Sequence, residues 1–158
     1  MRMYVVRHAE AVAAGTQGVP TDADRFLTAR GKNHARRAAK VLKRLGVSPG
    51  EIWTSPLLRA RETAELLAGE LSPAPPLQQV KALGSPGDFA ALRKRLKGIE
   101  MDELLLVGHQ PFLGECVQYW LAGRAHPGMR LAKCSALCLQ GSAIANGQME
   151  LEFMLNDK

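Results

Sequence analysis

MYVVRHA, residues 3–9, is an apolar run with a β-branched end that stops abruptly at a guanidinium and an imidazole. An uninterrupted apolar stretch over 3–6 predicts a short buried strand, of the kind that parallel sheets keep between layers of helix. Arg7 and His8 then fall at the carboxyl end of that strand, the side on which open α/β sheets bind their ligands.

The same strand, turn and helix pattern returns twice. Residues 51–54 form a short strand, Ser55 and Pro56 turn the chain, and a helix over 57–67 aligns Ala60, Ala64 and Leu67 on one side. LLLV at 104–107 is the clearest buried strand; Gly108 and His109 follow, and a helix begins at Pro111 and runs to Leu121. Between the first two units, Thr28 caps a helix whose stripe is Ala35, Ala38, Ala39, Leu42 and Leu45 and whose stop is Gly46. Residues 14–25, with two glycines, a proline and two aspartates, form a surface loop long enough to reach over a site.

Downstream, residues 72–76 are a connector, 77–80 a strand, and Asp88 the cap of a helix with Phe89, Leu92 and Leu96 on one face. Residues 134–139 and 149–155 alternate around Asn146 and Gly147, the hairpin dipeptide, so the sheet ends antiparallel. The expected fold is α/β: three layers, α/β/α, with a mostly parallel central sheet and an antiparallel C-terminal edge, in a single domain over 1–158.

Composition narrows the class. Hydrophobic residues at 46% and charged residues at 23% are ordinary globular usage, and no stretch approaches the ~20 apolar residues of a membrane span. The first apolar run ends in Arg7, His8 and Glu10, unlike a secretory signal, and three cysteines are too few for a disulfide framework; a cytoplasmic location is expected. Alternation puts Cys134 and Cys138 on one strand face with Ala136, buried as small apolar side chains instead of forming half a metal site. A net charge of +6 favours anionic partners. Its concentrations at 30–44 and 93–97 lie on helical segments and read as solvated faces, and no recognition motif points to nucleic acid.

The three strand ends present Arg7 with His8, Ser55 followed by Arg59, and Gly108 with His109. Paired guanidiniums match phosphoryl oxygens, helix N-termini add positive potential, and a neutral imidazole is a nucleophile near pH 7. No carboxylate trio or cysteine cluster accompanies them, so this chemistry calls for neither metal nor cofactor. Ser55 either donates to the phosphate or merely ends its strand; Glu10 is either a general acid or a partner that holds an arginine in place. His34, on a basic helix face, His126, in a Gly and Pro loop, and Arg61 are read as solvated residues.

Taken together, Arg7-His8-Ala9 after the first strand, Ser55-Pro56 followed by Arg59 and Thr63, and Gly108-His109 before a proline resemble the histidine phosphatase superfamily, with its phosphoglycerate mutase-like fold. The resemblance spans nearly the whole chain. It implies that His8 is phosphorylated during the cycle, that Arg7 and Arg59 hold phosphoryl oxygens, and that His109 is a further donor. Within the superfamily, the short length, Arg7-His8-Ala9-Glu10, and Leu27-Thr28 followed by Gly31 are most similar to the SixA-type phosphohistidine phosphatases.

Members similar to phosphoglycerate mutase carry glycine after the nucleophile and a glutamate at a later strand end. Here Ala9 replaces the glycine, and KALGS at 81–85 supplies no carboxylate. An alkoxide needs a proton to leave, whereas a protonated imidazole departs without one, so the resemblance implies hydrolysis of phosphohistidine on a protein such as a histidine-containing phosphotransfer domain. Glu10, Asp22 and Asp24 are the carboxylates available if an acid is used. The alternatives are a phosphatase for small phosphorylated substrates and a phosphate-binding module without catalysis.

Overall fold

The structure, a computed structural model, describes residues 1–124 and 129–156; His126 lies outside the described residues. Ten principal elements follow in order: β1 (Arg2–Arg7), α1 (Ala29–Arg44), β2 (Glu51–Thr54), α2 (Leu58–Glu70), β3 (Leu77–Gln79), α3 (Phe89–Leu96), β4 (Glu103–Gly108), α4 (Phe112–Ala122), β5 (Ala136–Gln140) and β6 (Glu150–Leu155). The strands make one sheet in the order β3-β2-β4-β1-β5-β6. Pairs among β1 to β4 are parallel, while β5 joins β1, and β6 joins β5, antiparallel.

Side-chain alternation divides the core between the two faces of this sheet. Met3, Val5, Leu104 and Leu106 pack with residues of α3 and α4, such as Leu92, Leu113 and Trp120. Tyr4, Val6, Leu105 and Val107 pack with Ala39 and Leu42 of α1 and Ala60, Ala64 and Leu67 of α2. Both faces are covered, so β1 and β4 are apolar at successive positions, and each fully buried Leu or Val contributes roughly 1.5–3 kcal/mol.

Local chemistry sets the helix ends. Thr28 Oγ1 accepts the Gly31 N–H at 2.9 Å and starts α1; Gly46 ends it with φ +76°. A Cβ on Gly31 would overlap the Glu10 carbonyl oxygen, so this glycine lets the first turn of α1 rest directly on the loop that carries His8. Asp88 Oδ1 accepts the Ala91 N–H at 2.9 Å at the start of α3.

Three sequence expectations change. Leu45 leaves the buried stripe and is 53% exposed, because α1 ends at Arg44 and the buried row is Gly31, Ala35, Ala39 and Leu42. Cys134 does not share a strand face with Cys138: β5 starts at Ala136, and Cys134 has φ +61°. Its N–H is drawn to the Arg7 and His8 carbonyls at 3.1 and 3.3 Å, which turns its side chain toward Ala9, Ala11, Leu27 and Ala35. Finally, Asn146 and Gly147 do turn the chain, with the Gln148 N–H on the Ala145 carbonyl at 3.3 Å, but inside a longer connection instead of a two-residue hairpin loop. Residues 141–149 connect the strands, and the Gly147 N–H is spent on the Tyr119 carbonyl at the end of α4, 2.9 Å away.

Candidate active site

β1, β2 and β4 are neighbours around the middle of the sheet, and their carboxyl ends bring together the residues that follow them. His8 N–H donates to the Gly108 carbonyl at 3.0 Å and Ser55 N–H to the Val107 carbonyl at 2.9 Å, so the sheet ladder itself sets the three loops side by side. His8, Ser55, Arg59, Thr63 and His109 are all buried. The His8 and His109 rings are 5.0 Å apart between centroids.

His8 Nδ1–H donates to the Ala9 carbonyl at 2.7 Å. That contact places the proton of the neutral ring on Nδ1 and leaves the lone pair on Nε2. Burial pushes the His8 imidazole down to about 3; the Ala9 carbonyl works the other way, and His109, Arg59 and Arg7 add repulsion against a cation. His109 is pushed down to about 4, by burial first and then by Arg59. Both imidazoles are therefore neutral at pH 7.

Arg7 anchors one Nη1–H on the Leu131 carbonyl at 2.8 Å, and burial lowers its pKa. Arg59, in the first turn of α2, is held by Asp22: Nη1 donates to the Asp22 carbonyl at 2.7 Å and Nη2 to Oδ2 at 3.0 Å. Hydrogen bonds from Arg25 and Arg59 hold the Asp22 carboxyl below the usual carboxylate range, so it is ionised at neutral pH. Among the described residues, five side-chain atoms are buried without a partner: Arg61 Nε, Gln110 Oε1 and, from the residues after the three strands, Arg7 Nε, Arg59 Nε and His109 Nδ1. The last three, two of them cationic donors, suit an anion with several oxygens.

Arg7, His8, Ser55, Arg59 and His109 are thus brought together as their positions after three strands predict. Glu10 is placed otherwise: its carboxylate accepts Thr28 Oγ1–H at 3.0 Å, and among the described residues no arginine is shown as its partner. Ser55 Oγ contacts His109 Nε2 at 2.7 Å. Thr63 Oγ1, buried in α2, accepts the Ala9 N–H at 3.1 Å and donates to the Arg59 carbonyl at 2.7 Å, tying the loop that carries His8 to the helix that carries Arg59. Arg61, expected in solvent, is half-buried.

Asp22 as the arginine's partner was not apparent from sequence beyond its place in a long loop. Loop 14–25 does reach over the site, through the single helical turn Asp22–Asp24. Among the described residues no group of three His, Cys, Asp or Glu side chains is arranged to hold a metal ion, and no helix is long and apolar enough to cross a membrane.

Residues 3–84 match the family model of the histidine phosphatase superfamily (branch 1). The chain belongs to this superfamily. The matched residues include Arg7, His8, Ser55 and Arg59; His109 follows them in the sequence. An uncharacterized protein of Picosynechococcus sp. is 39% identical, over 90% of this chain and 87% of that one. Phosphohistidine phosphatase SixA of Escherichia coli K12 is 27% identical, over 94% and 93% of the two chains. The solved structure of the protein histidine phosphatase SixA complexed with tungstate has the same fold: TM-score 0.83, 23% identity, covering 99% of this chain and 97% of that one. Superfamily membership supports phosphatase chemistry for this site.

Proposed function

We propose that this histidine phosphatase hydrolyses phosphohistidine on a protein, with His8 as the residue phosphorylated in the cycle. The observation that carries the proposal is the state of the carboxylate that, among the described residues, is bound to a site arginine: Asp22 is ionised and engaged by Arg59, so it has no proton to give a leaving group. Glu10 is turned to Thr28, and 81–85 hold no acid.

His8 Nε2 attacks phosphorus while the P–N bond to the substrate imidazole breaks. The substrate ring, protonated on its other nitrogen, leaves as a neutral imidazole, and phosphorylated His8 becomes a cationic ring whose Nδ1–H stays on the Ala9 carbonyl. Water then attacks phosphorus, and His8 departs as the neutral imidazole it began as, with inorganic phosphate as product. Donor and acceptor are the same chemical type in the first step, so no general acid is needed, in contrast to an alkoxide leaving group, for which the acid is worth ~10²–10⁴-fold. Arg7, Arg59 and His109 Nδ1–H stabilise the equatorial oxygens during both transfers.

The test uses a labelled, phosphorylated histidine-containing phosphotransfer domain. Wild-type protein should release inorganic phosphate and carry transient acid-labile label, and His8→Ala should do neither. Retention of the label on the phosphotransfer domain by wild-type protein, with rapid turnover of small phosphoesters, would replace this substrate by an ester. Neither turnover nor transient label on any substrate would leave a phosphate-binding module.

A further inference from the structure

α1 holds seven lysines and arginines and no acidic residue, whereas the whole chain has a net charge of +6, so the rest of the chain carries −1. Arg36, Lys40 and Arg44 form an exposed i, i+4 row. Like charges at that spacing oppose helix formation, and cations in the first turn oppose the helix dipole, so the arrangement acts against the helix's own stability. Lys32 has an ion-pair partner, Glu62 at 3.7 Å.

Alongside this row runs a groove of about 490 Å³ between α1 and the antiparallel edge of the sheet. Ala38 and Val41 form its helical wall, Ala136, Met154 and Leu155 its strand wall, and Arg37 its rim. Val41 is 38% exposed there. The groove lies at the catalytic end of the sheet, since Ala136 pairs with both Val6 and Leu155. Cys134 also lines it, and the Cys134 N–H donates to the carbonyl of His8 itself at 3.3 Å.

We infer that this groove, with the basic face of α1 beside it, docks the phosphoprotein substrate through an amphipathic acidic helix of that protein. The inference rests on the protein-phosphohistidine reading above. Apolar side chains of the partner helix fill the space between Val41 and Leu155, its carboxylates lie along Arg36, Lys40 and Arg44, and its phosphorylated imidazole reaches His8 around the Cys134 turn. A polynucleotide would satisfy the cations but has no aliphatic side chains for the groove, and a bilayer surface does not enter a concave one. Complementary charge steers encounter, so the expected effect is on kcat/KM for the protein and not on chemistry.

Wild type, Val41→Glu and the double variant Lys40→Glu/Arg44→Glu would be assayed on a phosphorylated histidine-containing phosphotransfer domain and on the phosphoramidate ion. The expected result is a loss of about tenfold or more in kcat/KM on the phosphoprotein for both variants, with phosphoramidate turnover unchanged and a weaker salt dependence in the double variant. Equal turnover of the phosphoprotein by wild type and both variants would overturn the docking site while leaving the substrate reading intact. Wild type that hydrolyses phosphoramidate but leaves the phosphoprotein untouched would overturn the substrate reading, and the groove's assignment with it. Variants that lose binding to single-stranded nucleic acid or to vesicles of anionic phospholipid, yet keep phosphoprotein turnover, would give the surface to that partner instead. If Val41→Glu fails to fold, its phosphoramidate turnover disappears and the double variant decides.

Discussion

Ser55 Oγ lies 2.7 Å from His109 Nε2, and the same oxygen accepts the Leu57 N–H at 3.2 Å. Leu57 N–H takes one of the two hydroxyl lone pairs, and among the described residues His109 Nε2 is the acceptor within reach of the hydroxyl proton; donation there places the proton of neutral His109 on Nδ1. That is the nitrogen buried without a partner, so Ser55 selects the tautomer that the proposed mechanism needs for donation to a phosphoryl oxygen. Ser55→Ala removes one hydrogen bond and should lower kcat roughly tenfold with little change in KM. Nitrogen-15 shifts of His109 should report Nδ1–H in wild type and a mixture in the variant; an Nε2–H tautomer in wild type would contradict the assignment.

On the proposed mechanism Asp22 competes with the phosphoryl group for Arg59. Its side chain is 57% exposed and that of Arg59 only 6%, so Asp22 is the partner that can withdraw. Asp22→Asn should tighten inhibition by inorganic phosphate and leave kcat on phosphohistidine within about threefold, since an ion pair with one exposed partner is worth little. A drop of ~10²–10⁴-fold would instead make Asp22 the general acid.

Acid should destabilise the fold through its two buried imidazoles. In the unfolded chain both titrate near 6.5; in the fold burial lowers them to about 3 for His8 and about 4 for His109. Above pH 6.5 they are neutral in both states and contribute no pH dependence. Below it the unfolded chain binds protons that the fold refuses, and stability falls by about 1.4 kcal/mol per pH unit for each histidine until the folded pKa is reached. Urea unfolding at pH 7, 6 and 5 measures the slope, and His109→Gln should reduce it.

Thr63→Val keeps the side-chain shape and removes the hydroxyl that joins Ala9 to Arg59. Leaving the Ala9 N–H without its partner should cost about 1–3 kcal/mol of stability. Because both ends of the contact bear on the phosphoryl binding proposed for this site, KM should rise as well. Unchanged KM with lowered stability would limit Thr63 to holding the helix.

Much of this architecture was legible because both faces of the central strands are buried. That demand makes 3–6 and 104–107 apolar throughout, and it makes the abrupt arrival of Arg7, His8 and His109 conspicuous. Caps were equally readable at Thr28 and Asp88, where a short side chain reaches a backbone N–H three residues on. Cys134 leaves the strand alternation because its backbone is held by the Arg7 and His8 carbonyls, and the Asn146-Gly147 turn forms inside a longer connection because its Gly147 N–H is held by Tyr119 of α4.

The sequence by itself determined the three-layer α/β/α fold and the set of residues that gathers after three strands, since burial periodicity and polar breaks are local patterns. Only the tertiary structure decided that Asp22 engages Arg59, that Glu10 turns to Thr28, and that Ser55 bonds His109. These are one or two hydrogen bonds between residues 18 to 54 positions apart, and whether they form depends on loop paths that no periodicity encodes.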